Sequence, residues 1–413
     1  MRVLVVGSGG REHALCWRLA ADHEVLCAPG NPGIAEVAEL CSVQASDAEG
    51  LQGLAAQLGV DLVVVGPEAP LVDGLADRLR KAGIAVFGPG RDGAQLEGSK
   101  RFAKEFFERH GIPTGGFRSC STVDEARQAV AELGGQVVVK ADGLAAGKGV
   151  VVCSSADQAI AAADDMLSNR RFGDASKELV IEERLFGREL SVMAITDGRR
   201  YHLLATAEDH KAVFDGDQGP NTGGMGAVSP APWATDDLLA TIREQVFERT
   251  LAGLSHDGID FRGVLYAGLM VTDAGPKMLE YNVRFGDPET QAVLPRFEGD
   301  FGALLMAAAS GVLPEAPLEW SKQTTACVVM ASSGYPENAE TGKLITGLDR
   351  AGDRIVFQAG TRRQAEGIVT SGGRVLAVVG QGADVEAARR SAYAGIEAIS
   401  FEGAHFRRDI GAR

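Results

Sequence analysis

Glu280 and Asn282 stand two residues apart in the run Leu279-Glu280-Tyr281-Asn282-Val283-Arg284, where β-branched and apolar neighbours predict a strand. Alternate strand residues share a face. A carboxylate and an amide oxygen aimed the same way form an oxygen-only half-shell, the kind Mg²⁺ accepts when substrate phosphates complete its octahedron. Arg284 falls on that face two residues on, where a guanidinium fork can bind a carboxylate or a phosphoryl group in transfer. The alternative is the solvated polar side of a half-buried strand. Gly286-Asp287-Pro288-Glu289 follows, and a tight turn with a helix start directly after the ligands favours a site.

Cations to meet those oxygens lie far upstream. Lys100 opens an amphipathic stretch through His110, and the strand predicted over 136 to 140 ends in Lys140. The next residues, Ala141 to Val150, are small and glycine-rich and carry Gly147 and Lys148. A helix or sheet would be costly for so many glycines, so a hairpin loop is predicted. Lys140 on a strand and Lys148 in a loop give one fixed and one movable cation, suited to gripping a triphosphate; a plain flexible loop with solvated lysines is the rival reading. It is not a Walker A loop, since position 149 is Gly rather than Ser or Thr and a Val-rich strand follows.

Glu182-Glu183-Arg184-Leu185 follows the strand predicted at 179 to 181. Backbone groups of an exposed segment there can pair with an adenine edge, and Glu189 beyond it can take ribose hydroxyls. The stretch from Glu208-Asp209-His210-Lys211 to Gly226 reads as a long irregular loop, a feature that tends to be functional, although a lone His210 is more often structural.

Positioning these groups requires several layers. A chain of 413 residues with 45% hydrophobic content exceeds one core, so two to four domains are expected. Strands at 2 to 6, 24 to 28, 61 to 65 and 84 to 87 alternate with helical stretches, the pattern of an open parallel α/β sheet. Its first loop, Gly7-Ser8-Gly9-Gly10-Arg11-Glu12-His13, departs from a dinucleotide fingerprint at Glu12. The loop suits a single phosphate at Gly9 and Gly10, or is a structural turn. Gly66-Pro67-Glu68 lies at the carboxyl edge of the third core strand, where Glu68 either holds ribose hydroxyls or is a first-turn acid favoured by the helix dipole. The expected boundaries are 1–103 for this N-terminal unit, 104–323 for a middle unit with a small α+β lid over about 120–187, and 324–413 for a strand-rich terminal unit with one helix near 384 to 399. Thr122 and Glu125 form a capping box at the start of the lid's first helix.

A net charge of −15 disfavours nucleic acid as a partner. Six cysteines without CxxC spacing point to reduced, buried thiols and a cytoplasmic location. No apolar run approaches a membrane span, and the Met1 end is too short in apolar residues for a signal-peptide core.

The series Lys100, Lys140, the loop with Lys148, Glu182 to Leu185, Glu189 and Glu280-x-Asn282 resembles the ATP-grasp fold, in which two α+β subdomains clasp ATP. GSGGREHA at 7 to 14, GPEAPL at 66 to 71, KADGLAAGKGV at 140 to 150, GPNTGGMGA at 219 to 227 and RFGDPETQ at 284 to 291 resemble the phosphoribosylamine–glycine ligase family. The resemblance implies a ligase joining glycine to 5-phospho-D-ribosylamine with ATP, through glycyl phosphate, in purine biosynthesis. It implies that Lys100, Lys140, Gly147 and Lys148 hold ATP phosphates, that Glu182, Arg184 and Leu185 line the adenine pocket, and that Glu189 takes the ribose. It further implies that Glu280 and Asn282 bind Mg²⁺ or Mn²⁺ and that Arg284 and Lys148 assist phosphoryl transfer. Substrate falls to Gly9, Gly10, Pro67, Glu68, Asp209, Lys211, Arg284, Pro288 and Glu289, in an expected monomer.

Two departures qualify this. The family commonly shows Q-D-H-K-R where this chain has Glu208 to Ala212, and the strand Leu265 to Met270 offers no acidic ligand, so two-metal coordination by side chains is not expected. A relative using bicarbonate or formate, a non-catalytic nucleotide sensor and a nicotinamide-dependent dehydrogenase are the competing readings.

Overall fold

The structure, a computed structural model, describes residues 1–145 and 149–412. The N-terminal sheet has five strands in the order Glu39–Leu40, Glu24–Pro29, Arg2–Gly7, Leu62–Val65, Ala85–Phe87, all parallel. Val3 to Val6 are fully buried, because parallel crossovers lay helices on both faces and leave no solvated side. The strand order reverses between Arg2–Gly7 and Leu62–Val65. Loops after those strands, Gly7 to Gly10 and Gly66 to Glu68, therefore lie side by side at the switch point, where such sheets bind ligands.

Next comes an antiparallel sheet in the order Phe117–Cys120, Leu179–Glu183, Val137–Ala141, Val150–Val152. The helices Val123–Glu132 and Ala156–Ser168 cover it and share a core of their own with Val130, Val137, Met166 and Ile181. Thr122 and Glu125 form the reciprocal cap expected from the sequence. A second antiparallel sheet runs Tyr201–Leu203, Arg188–Thr196, Gly263–Thr272, Gly275–Asn282. One helical rod, Asp236–Ile242, Arg243–Glu248 and Arg249–His256, packs against it, its middle third wound as π-helix.

The last large sheet runs Glu208–Asp209, Gly226–Ser229, Thr324–Ala331, Arg374–Gly382, Ile355–Gln358, with the helix Val385–Ala398 packed on it. Two of its strands come from before residue 324. This corrects the reading of 208 to 226 as irregular: besides those strands, Ala212–Phe214 and Gln218–Asn221 pair as a ribbon. Their glycines and Pro220 hid the strands, and Gly226–Ser229 is held by a partner strand distant in sequence, Thr324–Ala331. All six cysteines are free and buried. Among the described residues no helix is long and apolar enough to cross a membrane.

Candidate active site

A bulge sets the face on which the oxygen ligands appear. Met278 pairs with Leu269 and Glu280 with Gly268, so Leu279 is an extra residue in the ladder. Met278 and Tyr281 both enter the core, which strict alternation would forbid. The inserted residue flips the parity, and Glu280 and Asn282 emerge on the other side. Carbonyl oxygen of Leu279 accepts a hydrogen bond from Lys140 Nζ at 3.3 Å. Burial raises the Glu280 carboxyl, but Lys100, Lys140, Lys211 and Arg284 overcome it and hold its pKa at about 2. The cations and the oxygens therefore share one space, joined across about 140 residues of sequence.

Lys140 does not stand free. Its Nζ lies 2.7 Å from Glu182 Oε1, and Lys104 Nζ lies 2.7 Å from Glu182 Oε2. Glu182 is not on an exposed segment after the strand: it lies within Leu179–Glu183 and is 3% exposed. Lys104, absent from the sequence reading, also donates to Thr114 Oγ1 at 2.7 Å, and that hydroxyl donates to the Met278 carbonyl at 2.7 Å. The chain of contacts ties lid to central sheet. One turn of helix from Lys100 was the available signal for Lys104, since i and i+4 share a face. Ser99 Oγ and the Arg101 N–H donate to the Asp142 carboxylate, anchoring the base of the glycine-rich loop at the start of the helix Lys100–Arg109. Gly147 and Lys148 lie outside the described residues. Beyond the strand, the Arg184 guanidinium sits 5.0 Å from the Phe186 ring centre, and Leu185 is half-buried.

Glu189 belongs to the strand Arg188–Thr196, and its carboxylate lies 2.8 Å from Lys211 Nζ. Next to it Asp209 has a buried Oδ1 without a partner among the described residues. Burial and the nearby Glu289 push the Asp209 carboxyl well up. Gly224, at φ +108°, lets this segment close on the site: a Cβ there would come within 2.4 Å of Pro288 and 2.9 Å of Asp209 Oδ1. The added acid Glu208 is offset by Arg188 at 3.0 Å, and Ala212 is buried, its carbonyl accepting from Arg407.

Arg284 lies just past the strand Gly275–Asn282 and donates to Asn282 Oδ1 at 3.0 Å, but it also pairs with Glu97 at 2.9 Å and Glu68 at 3.4 Å. Its fork therefore faces two carboxylates of the N-terminal unit. Glu97, also missed, accepts from the Val283 N–H at 2.8 Å. Pro288 precedes the helix Glu289–Val293, and Glu289 points inward to accept from Tyr266 and Ser191. At the first loop the Gly9 N–H donates to Glu12 Oε2 at 2.6 Å, and Arg11 Nε donates to Glu12 Oε1 at 2.5 Å. Arg11 is thus neutralised and turned inward; its neighbour Gly10 is held so close to Gln291 that a Cβ would meet it at 2.7 Å. Pro67 caps the short helix Glu68–Val72. Arg374 enters from the terminal unit and donates to the Gly223 and Asp287 carbonyls.

The donor set fits a hard divalent cation. Among the described residues Glu280, ionised, makes no hydrogen bond or ion pair, and the Asn282 amide oxygen keeps a second lone pair beside its bond from Arg284.

Two antiparallel sheets, one bringing Lys140 and the other Glu280 and Asn282 to a common cleft, define an ATP-grasp protein. The phosphoribosylglycinamide synthetase N domain matches residues 1–97, its ATP-grasp (A) domain 98–290 and its C domain 325–413. The chain belongs to this family. It is 48% identical over 420 residues to the phosphoribosylamine–glycine ligase of Caulobacter vibrioides, across 100% of this chain and 98% of that one. Identity to the Xanthomonas campestris enzyme of the same name is 49% over 421 residues, with the same two coverages. The crystal structure of phosphoribosylamine–glycine ligase from Thermotoga maritima superposes with a TM-score of 0.88 at 37% identity, over 99% of this chain and 100% of that one. Biotin carboxylase from Campylobacter jejuni, at 14% identity and a TM-score of 0.74 over 99% and 94%, shares the fold.

Proposed function

We propose that the residues around Glu280 carry out, by way of glycyl phosphate, the ligation that defines the family: glycine, 5-phospho-D-ribosylamine and ATP give glycinamide ribonucleotide, ADP and phosphate in purine biosynthesis. The observation that carries this is an ionised Glu280, without a hydrogen bond or ion pair among the described residues, in the field of Lys100, Lys140 and Lys211. Glu280 and Asn282 would hold Mg²⁺ or Mn²⁺, which neutralises phosphate charge when bound.

Lys100, Lys140, Gly147 and Lys148 hold the triphosphate. Glu182, Arg184 and Leu185 border the adenine, and Glu189 takes its ribose. A carboxylate oxygen of glycine attacks the terminal phosphorus and ADP leaves; Arg284 and Lys148 offset the charge on the transferring group. The ribosylamine nitrogen then attacks the acyl carbon, phosphate departs and the nitrogen loses a proton. Asp209 and Lys211 bind glycine or the ribosylamine: an arriving ammonium gives Asp209 Oδ1 the partner it lacks, and so favours its ionised form. Gly9, Gly10, Pro67, Glu68, Pro288 and Glu289 border the phosphoribosyl group. We place the chain in the cytoplasm as a monomer, with units at 1–103, 104–323 and 324–413. The test is product mass after incubation with ATP, glycine and freshly generated phosphoribosylamine. Glycinamide ribonucleotide should form only with all three; turnover with bicarbonate or formate in place of glycine refutes the reading.

A further inference from the structure

His110, His256 and Asp257 meet where two helices end. His110 caps the carboxyl end of Lys100–Arg109, and His256 and Asp257 close Arg249–His256. One ligand atom from each lies within 4.8 Å of the others. Asp257 binds both rings: Oδ2 lies 3.1 Å from His110 Nε2, and Oδ1 lies 3.1 Å from His256 Nδ1. Arg109 Nη2 donates to Oδ2 at 2.8 Å. None of these four residues takes part in the ligation site.

We propose that these three side chains bind a divalent ion of the Zn²⁺ class, bridging the two helix ends. Two imidazoles and one carboxylate are borderline ligands that suit Zn²⁺, with water completing four-coordination. The position favours a cation twice over, since both helices direct the negative end of their dipoles toward it. The His110 ring is already fixed: Gly253 lies so close that a Cβ there would fall 2.6 Å from the ring. The ring centres of His110 and His256 stand 5.7 Å apart. Arg109 now takes the charge that the metal would take. Its side chain is 47% exposed, so it can move to water at small cost.

This competition gives two variants with opposite signs. Zn²⁺ is titrated calorimetrically into the full chain after chelator stripping, and Co²⁺ is followed in parallel by its visible absorption. One ion per chain should bind, and it should persist in Glu280→Ala, which separates it from the nucleotide-linked ion. His256→Ala, at an exposed position, should keep the circular dichroism spectrum of the parent and weaken binding at least about tenfold. Arg109→Ala should tighten it. Absence of saturable binding, equal affinity in His256→Ala, or unchanged or weaker binding in Arg109→Ala each overturns the site.

Discussion

Lys140 and Glu182 form an ion pair at 2.7 Å across neighbouring antiparallel strands, so a cation offered to a nucleotide is held in advance by a carboxylate. Lys104 takes the other oxygen of that carboxylate. The arrangement fixes the Lys140 ammonium beside the Leu279 carbonyl, a site geometry set before any phosphate arrives.

Removing Lys104 tests this arrangement. Lys104→Ala leaves Glu182 with one cation in a buried setting, and breaking a buried pair on one side costs about 3–5 kcal/mol. The expected result is an unfolding free energy lower by that amount, read as a lower urea midpoint at unchanged m, and a raised KM for ATP with little change for glycine. An unchanged midpoint would show that Lys140 alone suffices.

Glu280→Ala should lower kcat at least about a hundredfold, and because it also gives up the attraction of Lys100, Lys140, Lys211 and Arg284 for the carboxylate, its thermal midpoint at pH 7 should fall below that of the parent while the chain still folds. The pH behaviour follows from its depressed pKa of about 2. A carboxyl held below its unfolded value of about 4.3 contributes stability above that pH and loses it as the pH falls toward 2. Glu280→Gln should therefore flatten the stability profile in that window only. Wild-type rates at ordinary Mg²⁺ in Glu280→Ala would refute its role.

Much of this site was legible because its elements are local. The strand carrying Glu280 and Asn282, the helix from Lys100 and the capping box at Thr122 follow from short-range pattern and chemistry. Pairings between distant segments were not. Nothing near Glu182 announces Lys104, nothing near Arg284 announces Glu97, and the strand Gly226–Ser229 is defined by a partner at Thr324–Ala331. The bulge at Leu279 was also hidden: alternation alone would put Met278 and Glu280 on one face, and only the core position of Tyr281 reverses it.

Arg284 offers a test of positioning against chemistry. It holds Glu97, Glu68 and Asn282 together, and a planar fork does this where a single ammonium cannot. Arg284→Lys should keep part of the stability, while its kcat falls further than its KM changes. Arg284→Ala should lower the unfolding midpoint as well, since the buried Glu97 loses its cation. Steady-state kinetics and urea denaturation on both variants separate the roles; if both fold as stably as the parent, the pairing with Glu97 has no structural weight.

His13 predicts how the chain responds to mild acid. Its ring lies buried between the first helix and the terminal unit: Nδ1 accepts from the Gln358 N–H at 2.8 Å, and the Phe357 ring stands edge-on at 5.3 Å. Burial lowers its pKa from 6.5 to about 4. In this window the unfolded chain takes up a proton that the folded chain refuses, so stability falls as the pH drops from 6.5 and levels off below 4. The full loss approaches about 3 kcal/mol. Protonation would also turn Nδ1 into a donor facing a donor. His13→Gln should remove that component, so its urea midpoint, measured at pH 7, 5.5 and 4.5, should decline less steeply than that of the parent. Parallel slopes in the two proteins would mean that His13 is protonated as readily folded as unfolded.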